Sequence, residues 1–188
     1  MNTTPLELEN IYELAYKALS AHGCDHFNAD SVATTVSHAE RDGSVSHGLF
    51  RIPGYVASLK SNKVNGVSRP SNTYLTQNAI RVEGDYGFAP VGIKVGLPEL
   101  IKTTNKHGVG VLTITNTHHF AALWHETEAL AENNLVGIAC TAYKPSVAPA
   151  GAKKPLFGTN PISFAWPRKN NTPVIYDMAT STMAMGEV

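Results

Sequence analysis

The first 60 residues place apolar side chains three or four positions apart, which is the spacing of amphipathic helices. In the first predicted helix the repeat falls on Leu8, Ile11, Ala15, Ala18 and Leu19. Thr4 is suited to cap this helix, Pro5 to be its first residue, and Glu7 to complete a capping box. Gly23 predicts its end.

Two further helices are predicted in the same part of the chain, from about Ala29 to Arg41 and from Leu49 to Leu59. Pro53 indicates that the third helix begins late or is kinked, because proline removes a backbone donor. The polar residues 61–77 then predict a loop and a domain boundary.

Beyond residue 77 the pattern changes to short β-branched runs that alternate with helical segments. Strands are predicted at 79–83, 109–115, 136–141, 162–166 and 174–178, and helices at 90–106 and 119–132. Helices followed by alternating strands and helices predict an α/β (α+β) fold. We expect part of a helical domain at residues 1–77 and a second domain at 78–188.

Composition narrows the class of protein. Of the 188 residues 43% are hydrophobic and 16% charged, and 15 basic residues balance 15 acidic ones, so nucleic acid is not an expected partner. No apolar run is long enough to span a bilayer, and the N-terminus lacks the features of a secretory signal. Cys24 and Cys140 form no recognisable framework, which favours free thiols in a reducing cytoplasm.

The stretch from Asp42 to Tyr55 concentrates side chains suited to chemistry. Histidine moves protons near pH 7, and the planar guanidinium of arginine fits a carboxylate, so His47 and Arg51 indicate proton transfer on a small carboxylate substrate. The hydroxyl of Ser46 can orient the neighbouring imidazole. In a continuous helix His47, Arg51 and Tyr55 would share one face. The alternative is a plain helix start that Ser46 caps.

The sequence Thr-His-His-Phe-Ala-Ala-Leu lies where a predicted strand gives way to a predicted helix. Free backbone N–H groups make such a junction an anion site, and the small side chains of Ala121 and Ala122 would let a pyrophosphate approach closely. One alternative is a zinc site from His118, His119 and His125, which is disfavoured because adjacent histidines diverge. Another is a capped helix with a half-buried histidine.

Two later segments are rich in turn-forming and polar residues. Gly158 and Pro161 fix the backbone around Thr159 and Asn160, as a plain loop or as a binding loop. Asp177 follows an apolar strand, where it can cap a helix, hold a ribose hydroxyl or order a site. No Gly-x-Gly-x-x-Gly opens a helix after a strand, so a standard Rossmann domain is disfavoured.

Together these motifs resemble the malate/L-lactate dehydrogenase family of the non-Rossmann type. The similar segments, in the family's order, are Asp-Gly-Ser-Val-Ser-His-Gly-Leu-Phe-Arg-Ile-Pro-Gly-Tyr, Thr-His-His-Phe-Ala-Ala-Leu-Trp, Pro-Leu-Phe-Gly-Thr-Asn-Pro-Ile and Asp-Met-Ala-Thr-Ser. Within the family the first two are similar to those of Δ1-piperideine-2-carboxylate/Δ1-pyrroline-2-carboxylate reductases. The implied fold is a dinucleotide domain with a largely antiparallel sheet beside a helical substrate domain, usually in a homodimer.

The resemblance also implies roles for individual residues. It implies a catalytic relay of Ser46 and His47, with His47 as the proton donor, and substrate contacts from Arg51, Tyr55 and Thr159. The implied cofactor-binding residues are His118, His119, Phe120, Ala121, Ala122, Leu123, Asp177, Met178, Ala179, Met185 and Gly186. No metal is expected.

The resemblance implies a cytoplasmic oxidoreductase that uses NADPH, with NADH as the alternative, to reduce a small cyclic imino acid. Two alternatives remain: a family dehydrogenase that acts on a 2-hydroxy or 2-keto acid, and an inactive fragment that binds only a nucleotide or a partner. We expect the chain to be a truncated member, because the carboxylate that completes the relay would follow Val188. The expected partners are the small imino or keto acid and a second copy, with neither nucleic acid nor membrane.

Overall fold

A computed structural model describes residues 5–181 of the chain. The helices are α1 (Leu8–Ser20), α2 (His26–Arg41), α3 (Ile52–Lys60), α4 (Ala89–His107) and α5 (Trp124–Glu132). The strands are β1 (Ser71–Tyr74), β2 (Ala79–Glu83), β3 (Val111–Thr115), β4 (Gly137–Cys140), β5 (Ile162–Arg168) and β6 (Asn171–Met178). Two short 3₁₀ turns, Val45–His47 and Leu49–Arg51, precede α3. The chain divides into two compact units, the first ending at Ala121 and the second beginning at Ala122.

The hydrophobic core of the first unit lies where α1, α2 and α3 meet. Leu19 and Val32 are fully buried in it, and Phe88 and Val91 join it from the start of α4. Tyr55 of α3 packs against Phe88 with 5.0 Å between the ring centroids. This core fixes the start of α3 against the start of α4, and these two regions carry the site described below.

The sheet of the first unit has the strand order β1–β2–β3, with β1 antiparallel and β3 parallel to β2. Helix α4 packs on this sheet and connects β2 to β3, as a parallel crossover requires. Gly96 permits the close approach, because a Cβ there would lie 2.6 Å from Val82 Cγ2 and 2.9 Å from Leu112 Cδ1.

The second unit is an antiparallel sheet of order β4–β5–β6 with α5 packed on one face. On that face Thr127 and Ser163 are fully buried, and their hydroxyl oxygens lie 2.7 Å apart. The other face carries exposed apolar side chains, including Ile138, Trp166 and Tyr176.

These observations confirm the predicted α/β (α+β) class. Of the strands after residue 77, β4, β5 and β6 form an antiparallel sheet, as the resemblance implied for residues 78–188, while β2 and β3 pair in parallel in the other sheet. Most predicted elements exist, with ends shifted by a few residues. The compact units divide after Ala121, and the functional boundary after residue 77 remains a prediction. Among residues 5–181, no helix is both long enough and apolar enough to cross a membrane.

Several local predictions are wrong. Helix α1 begins at Leu8, so Pro5 is not helical, and Glu7 is itself the N-terminal cap residue. Residues 71–74, predicted as loop, form β1, because pairing with β2 supplies hydrogen bonds that local polarity does not reveal. Thr4 lies outside the described residues.

The predicted helix over residues 119–132 begins only at Trp124. His119 and Ala121 have φ angles of 50° and 56°, which a right-handed helix does not tolerate. The segment before α5 is therefore an irregular loop, not the first turn of a helix.

Candidate active site

The imidazole of His47 is held by two hydroxyl groups from its own loop. Its Nδ1 lies 3.1 Å from Ser46 Oγ and 3.3 Å from Ser44 Oγ. The 3₁₀ turn brings the side chains of Ser44 and His47 together, because side chains three residues apart eclipse in that geometry. The predicted neighbours Ser46 and His47 therefore do meet, and Ser44 is a second partner that the motif did not single out.

The backbone after His47 is tied to α2. Glu40 Oε1 accepts a hydrogen bond of 2.7 Å from the Leu49 N–H. A Cβ at residue 48 would overlap the Glu40 side chain, so only glycine lets this carboxylate reach the loop. The glycine of the Ser-His-Gly motif thus allows the Glu40 side chain to approach closely and to hold the His47 loop in place.

Arg51 lies between this loop and the start of α3. Its Nε donates a 2.6 Å hydrogen bond to the carbonyl oxygen of Ser46, and its Cζ lies 5.9 Å from the centroid of the Phe50 ring. Burial, followed by the positive charge of Arg51, lowers the pKa of His47 to about 4. His47 is consequently neutral at pH 7 in the absence of a ligand.

Tyr55 is buried, and its hydroxyl oxygen lies 3.0 Å from His119 Nδ1. The backbone N–H of Ala121 donates a 3.2 Å hydrogen bond to the same nitrogen. Burial raises the pKa of Tyr55 to about 12, and the charge of Arg51 opposes this shift. Burial lowers the pKa of His119 to about 3, with smaller contributions from the charges of Arg51, His47 and His118.

The neighbouring histidine has a separate environment. His118 Nε2 lies 3.2 Å from Ser58 Oγ, and the His118 ring meets Phe88 edge-on at 5.9 Å. Burial, then the charge of Lys63, lowers the pKa of His118. Within residues 5–181 no group of three or more histidine, cysteine or carboxylate side chains is arranged to hold a metal ion.

In the second unit, Asp177 lies at the start of α5, where its Oδ2 accepts a 2.9 Å hydrogen bond from the Trp124 N–H. It therefore caps a helix 53 residues earlier in the chain. Burial raises the pKa of Asp177, and the backbone N–H groups of Trp124 and Leu123 oppose this shift. Leu123 and Asp177, two of the predicted cofactor residues, thus meet within this unit.

The remaining predicted site residues of the second unit lie in separate surroundings. Thr159 is buried, and its carbonyl oxygen accepts a 2.9 Å hydrogen bond from the Thr180 N–H. Met178 is exposed on β6 and accepts a hydrogen bond from the Tyr176 hydroxyl, while Ala179 is half-buried just beyond the strand. Met185 and Gly186 lie outside the described residues.

One group that sequence reasoning missed is Glu126 in α5. Its Oε2 is buried without a hydrogen-bond partner among residues 5–181. Burial raises its pKa to about 8, to which Asp177 contributes. Nothing in the sequence indicated that this side chain is buried, because a carboxylate near a helix start normally faces water.

The family model described as malate/L-lactate dehydrogenase matches residues 6–188 of this chain. A Delta(1)-pyrroline-2-carboxylate reductase from Burkholderia multivorans is 39% identical over 97% of the chain and 54% of its own length. The solved delta1-piperideine-2-carboxylate reductase of Pseudomonas syringae pvar. tomato superposes with a TM-score of 0.93 at 39% identity, over 98% of this chain and 56% of the other.

A malate dehydrogenase structure from Entamoeba histolytica is as similar in fold, with a TM-score of 0.93 and 28% identity over 99% of this chain and 52% of the other. The chain thus spans about half the length of the relatives it matches. The family model covers nearly all of the sequence, and the Burkholderia and Pseudomonas reductases are each 39% identical over almost the whole chain. The chain belongs to the malate/L-lactate dehydrogenase family.

Proposed function

We propose that this chain carries the proton-transfer and carboxylate-binding residues of a reductase that acts on a small cyclic imino acid. The substrate would be Δ1-piperideine-2-carboxylate or Δ1-pyrroline-2-carboxylate, and the product the corresponding L-amino acid. The observation that carries the proposal is the convergence of Ser46, His47 and Arg51 in one tied loop. The names of the similar reductases support this substrate class.

Arg51 would hold the substrate carboxylate. Its Nε is committed to the Ser46 carbonyl oxygen, which fixes the guanidinium plane and leaves the terminal nitrogens for an anion. This pre-set orientation would place C2 of the substrate against His47 and reduce the entropic cost of the encounter.

His47 would supply the proton that the ring nitrogen gains when C2 is reduced. His47 is neutral at rest because burial, followed by the charge of Arg51, lowers its pKa, and a bound carboxylate would raise that pKa by offsetting the Arg51 charge. Ser46 and Ser44 would keep the ring oriented through Nδ1. General acid help of this kind is typically worth ~10²–10⁴ in rate.

NAD(P)H, when bound, would supply the hydride. The loop around His119 fits a dinucleotide in one respect, because the His119 backbone N–H has no hydrogen-bond partner among residues 5–181. Residues His118 to Leu123 and Asp177 to Ala179 are proposed to hold the cofactor, with Met185 and Gly186. NADPH is the proposed donor, with NADH as the alternative.

The proposal extends to a homodimer in the cytoplasm. Its support is the family membership and the two cysteines, of which Cys24 is buried and Cys140 exposed, both as free thiols. A second candidate function is a dehydrogenase that acts on a 2-keto acid, favoured by the malate dehydrogenase of similar fold.

The test is NADPH oxidation by this chain, followed by absorbance, with Δ1-piperideine-2-carboxylate, pyruvate and oxaloacetate offered separately. Turnover with the cyclic imine alone supports the reductase, and turnover with a keto acid alone supports the second candidate. No turnover with any of the three, from folded protein that binds NADPH, contradicts catalysis by these residues and favours a chain that only binds nucleotide.

Two substitutions separate the proposed roles. His47→Ala should lower kcat by about 10²-fold or more with little change in KM, because it removes the proton donor alone. Arg51→Ala should raise KM for the imine by about 10-fold to 100-fold, since it removes a charge-assisted hydrogen-bonding partner. Unchanged kcat in His47→Ala would disprove the proton-donor role.

A further inference from the structure

Two hydrogen-bonding groups converge on one nitrogen of His119. The Tyr55 hydroxyl lies 3.0 Å from Nδ1 and the Ala121 backbone N–H lies 3.2 Å from it. A backbone N–H can only donate, so Nδ1 must offer its lone pair. The Tyr55 hydroxyl then also acts as a donor, and the single proton of the neutral ring resides on Nε2.

The loop backbone is shaped around this arrangement. His119 and Ala121 adopt φ angles of 50° and 56°, a region that costs free energy for residues other than glycine. The short turn lets the Ala121 N–H reach back to the ring two residues earlier. Ala121 is also buried, so without the His119 ring its N–H would have no partner among residues 5–181.

A second proton on His119 is opposed by burial and by the groups around the ring. Protonation at Nδ1 would set an N–H against the Ala121 N–H, which removes a hydrogen bond and adds a repulsion. The cationic Arg51 and the titratable His47 and His118 act on the ring as well, and the Tyr55 phenol faces Nδ1. The ring is therefore held neutral in one tautomer.

Helix α3 brings Arg51 and His119 close to one another. Arg51 and Tyr55 are four residues apart on helical backbone, so they share a face. His119, which is hydrogen-bonded to Tyr55, lies on that same side, where burial and then the positive charge of Arg51 lower its pKa. Nε2 has no hydrogen-bond partner among residues 5–181.

We propose that Tyr55 is a positioning residue rather than a direct substrate contact. With the Ala121 N–H it would fix His119 as a neutral imidazole whose Nε2–H donates a hydrogen bond to the carboxylate-bearing substrate beside Arg51. The identity of the acceptor rests on the proposed function, but the fixed tautomer does not. The assignment replaces the role expected for Tyr55 from the sequence.

The tautomer is measured in the ligand-free chain by long-range ¹H–¹⁵N spectroscopy of the histidine rings. We expect the His119 signals of a single neutral form, protonated on Nε2, at every pH from 8 down to about 5. A proton on Nδ1, an equal mixture of tautomers, or a charged ring at pH 6 would overturn the proposal. This result does not depend on any catalytic activity.

Tyr55→Phe removes the hydroxyl but keeps the ring that packs on Phe88. We expect a second His119 tautomer to appear, a higher His119 pKa and weaker substrate binding with NADPH affinity unchanged. Tyr86→Phe is the matched control, because Tyr86 is exposed and its hydroxyl has no partner among residues 5–181. Identical spectra for Tyr55→Phe and the wild type would refute the role of Tyr55.

Two substitutions of His119 test the donor itself. In His119→Gln the amide nitrogen reaches the position of Nε2, whereas in His119→Asn the amide reaches only that of Nδ1. Binding of pyrrole-2-carboxylate, a planar analogue of the proposed substrate, should weaken about tenfold more in His119→Asn than in His119→Gln. Equal losses, or a loss confined to NADPH, would exclude the substrate as the acceptor.

Discussion

The two compact units of this chain bury their side chains very differently. The first unit closes a continuous core in which Leu19, Val32 and Phe88 have almost no exposed surface. The second unit buries one face of its sheet under α5 and leaves the other face open, where Ile138 is 66% and Trp166 is 54% exposed. By itself, the first unit therefore has far more hydrophobic stabilisation than the second.

The units also contain buried groups that respond to acid in opposite ways. The first holds His47 and His119 as neutral imidazoles with lowered pKa values. The second holds Glu126 as a carboxyl group with a raised pKa. Acid should therefore destabilise the first unit and stabilise the second. The comparison teaches that one chain can carry two opposite pH responses in separate regions.

The largest expected effect comes from truncating a core side chain of the first unit. Phe88→Ala should lower the free energy of unfolding by about 3–5 kcal/mol, because it leaves a cavity beside Tyr55. Urea unfolding followed by helical circular dichroism measures it. Trp166→Ala is the control in the second unit and should cost less than about 1 kcal/mol. Similar losses of stability in both variants would contradict the inference that buried apolar side chains stabilise the first unit more than the second.

Removal of the buried carboxyl group should stabilise the second unit. Because the folded-state pKa of Glu126 is about 8, its stabilising contribution is complete below pH 4.5 and is lost as pH rises through 8. Glu126→Gln should raise the free energy of unfolding by about 2–3 kcal/mol at pH 7 and by little at pH 4. Tryptophan fluorescence reports on this unit alone, since both tryptophans, Trp124 and Trp166, belong to it.

Acidification should weaken the first unit over a defined interval. His47 and His119 have folded-state pKa values of about 4 and 3, below the ordinary 6.5, so their stabilising contribution is present above pH 6.5 and falls as pH decreases towards 4. From pH 7 to pH 5 the circular dichroism signal should report a loss of about 1–2 kcal/mol for each of the two rings. A gain in that interval would contradict the neutral state of both rings.

The smallest effect concerns the cap of α5. Asp177→Asn keeps an acceptor for the Trp124 N–H but removes the charge that interacts with the helix dipole. We expect a loss of about 0.3–1 kcal/mol at pH 7, measured by tryptophan fluorescence, which reports on the second unit. An effect of several kcal/mol would mean that Asp177 supports far more than this helix end.

Much of the candidate site could be predicted from local sequence. The Ser46 and His47 neighbours lie within one motif, and their contact needs only a turn of the backbone. The sequence could not show that Tyr55 bonds to His119, because the two residues are 64 positions apart and are brought together by the pairing of β3 with β2 and by the packing of α4. The helix predicted from residue 119 failed because positive φ angles are set by such contacts rather than by propensity.

The sequence by itself determined the helix and strand periods, the α/β class, the family and the chemistry of its motifs, since these depend on residue type and spacing along the chain. Tertiary structure alone decided which atoms meet. It placed Asp177 at the start of α5, left Glu126 Oε2 without a hydrogen-bond partner among residues 5–181, and brought the Ala121 N–H and the Tyr55 hydroxyl to one nitrogen of His119. Burial and hydrogen bonding then set the protonation states, and both depend on neighbours distant in sequence.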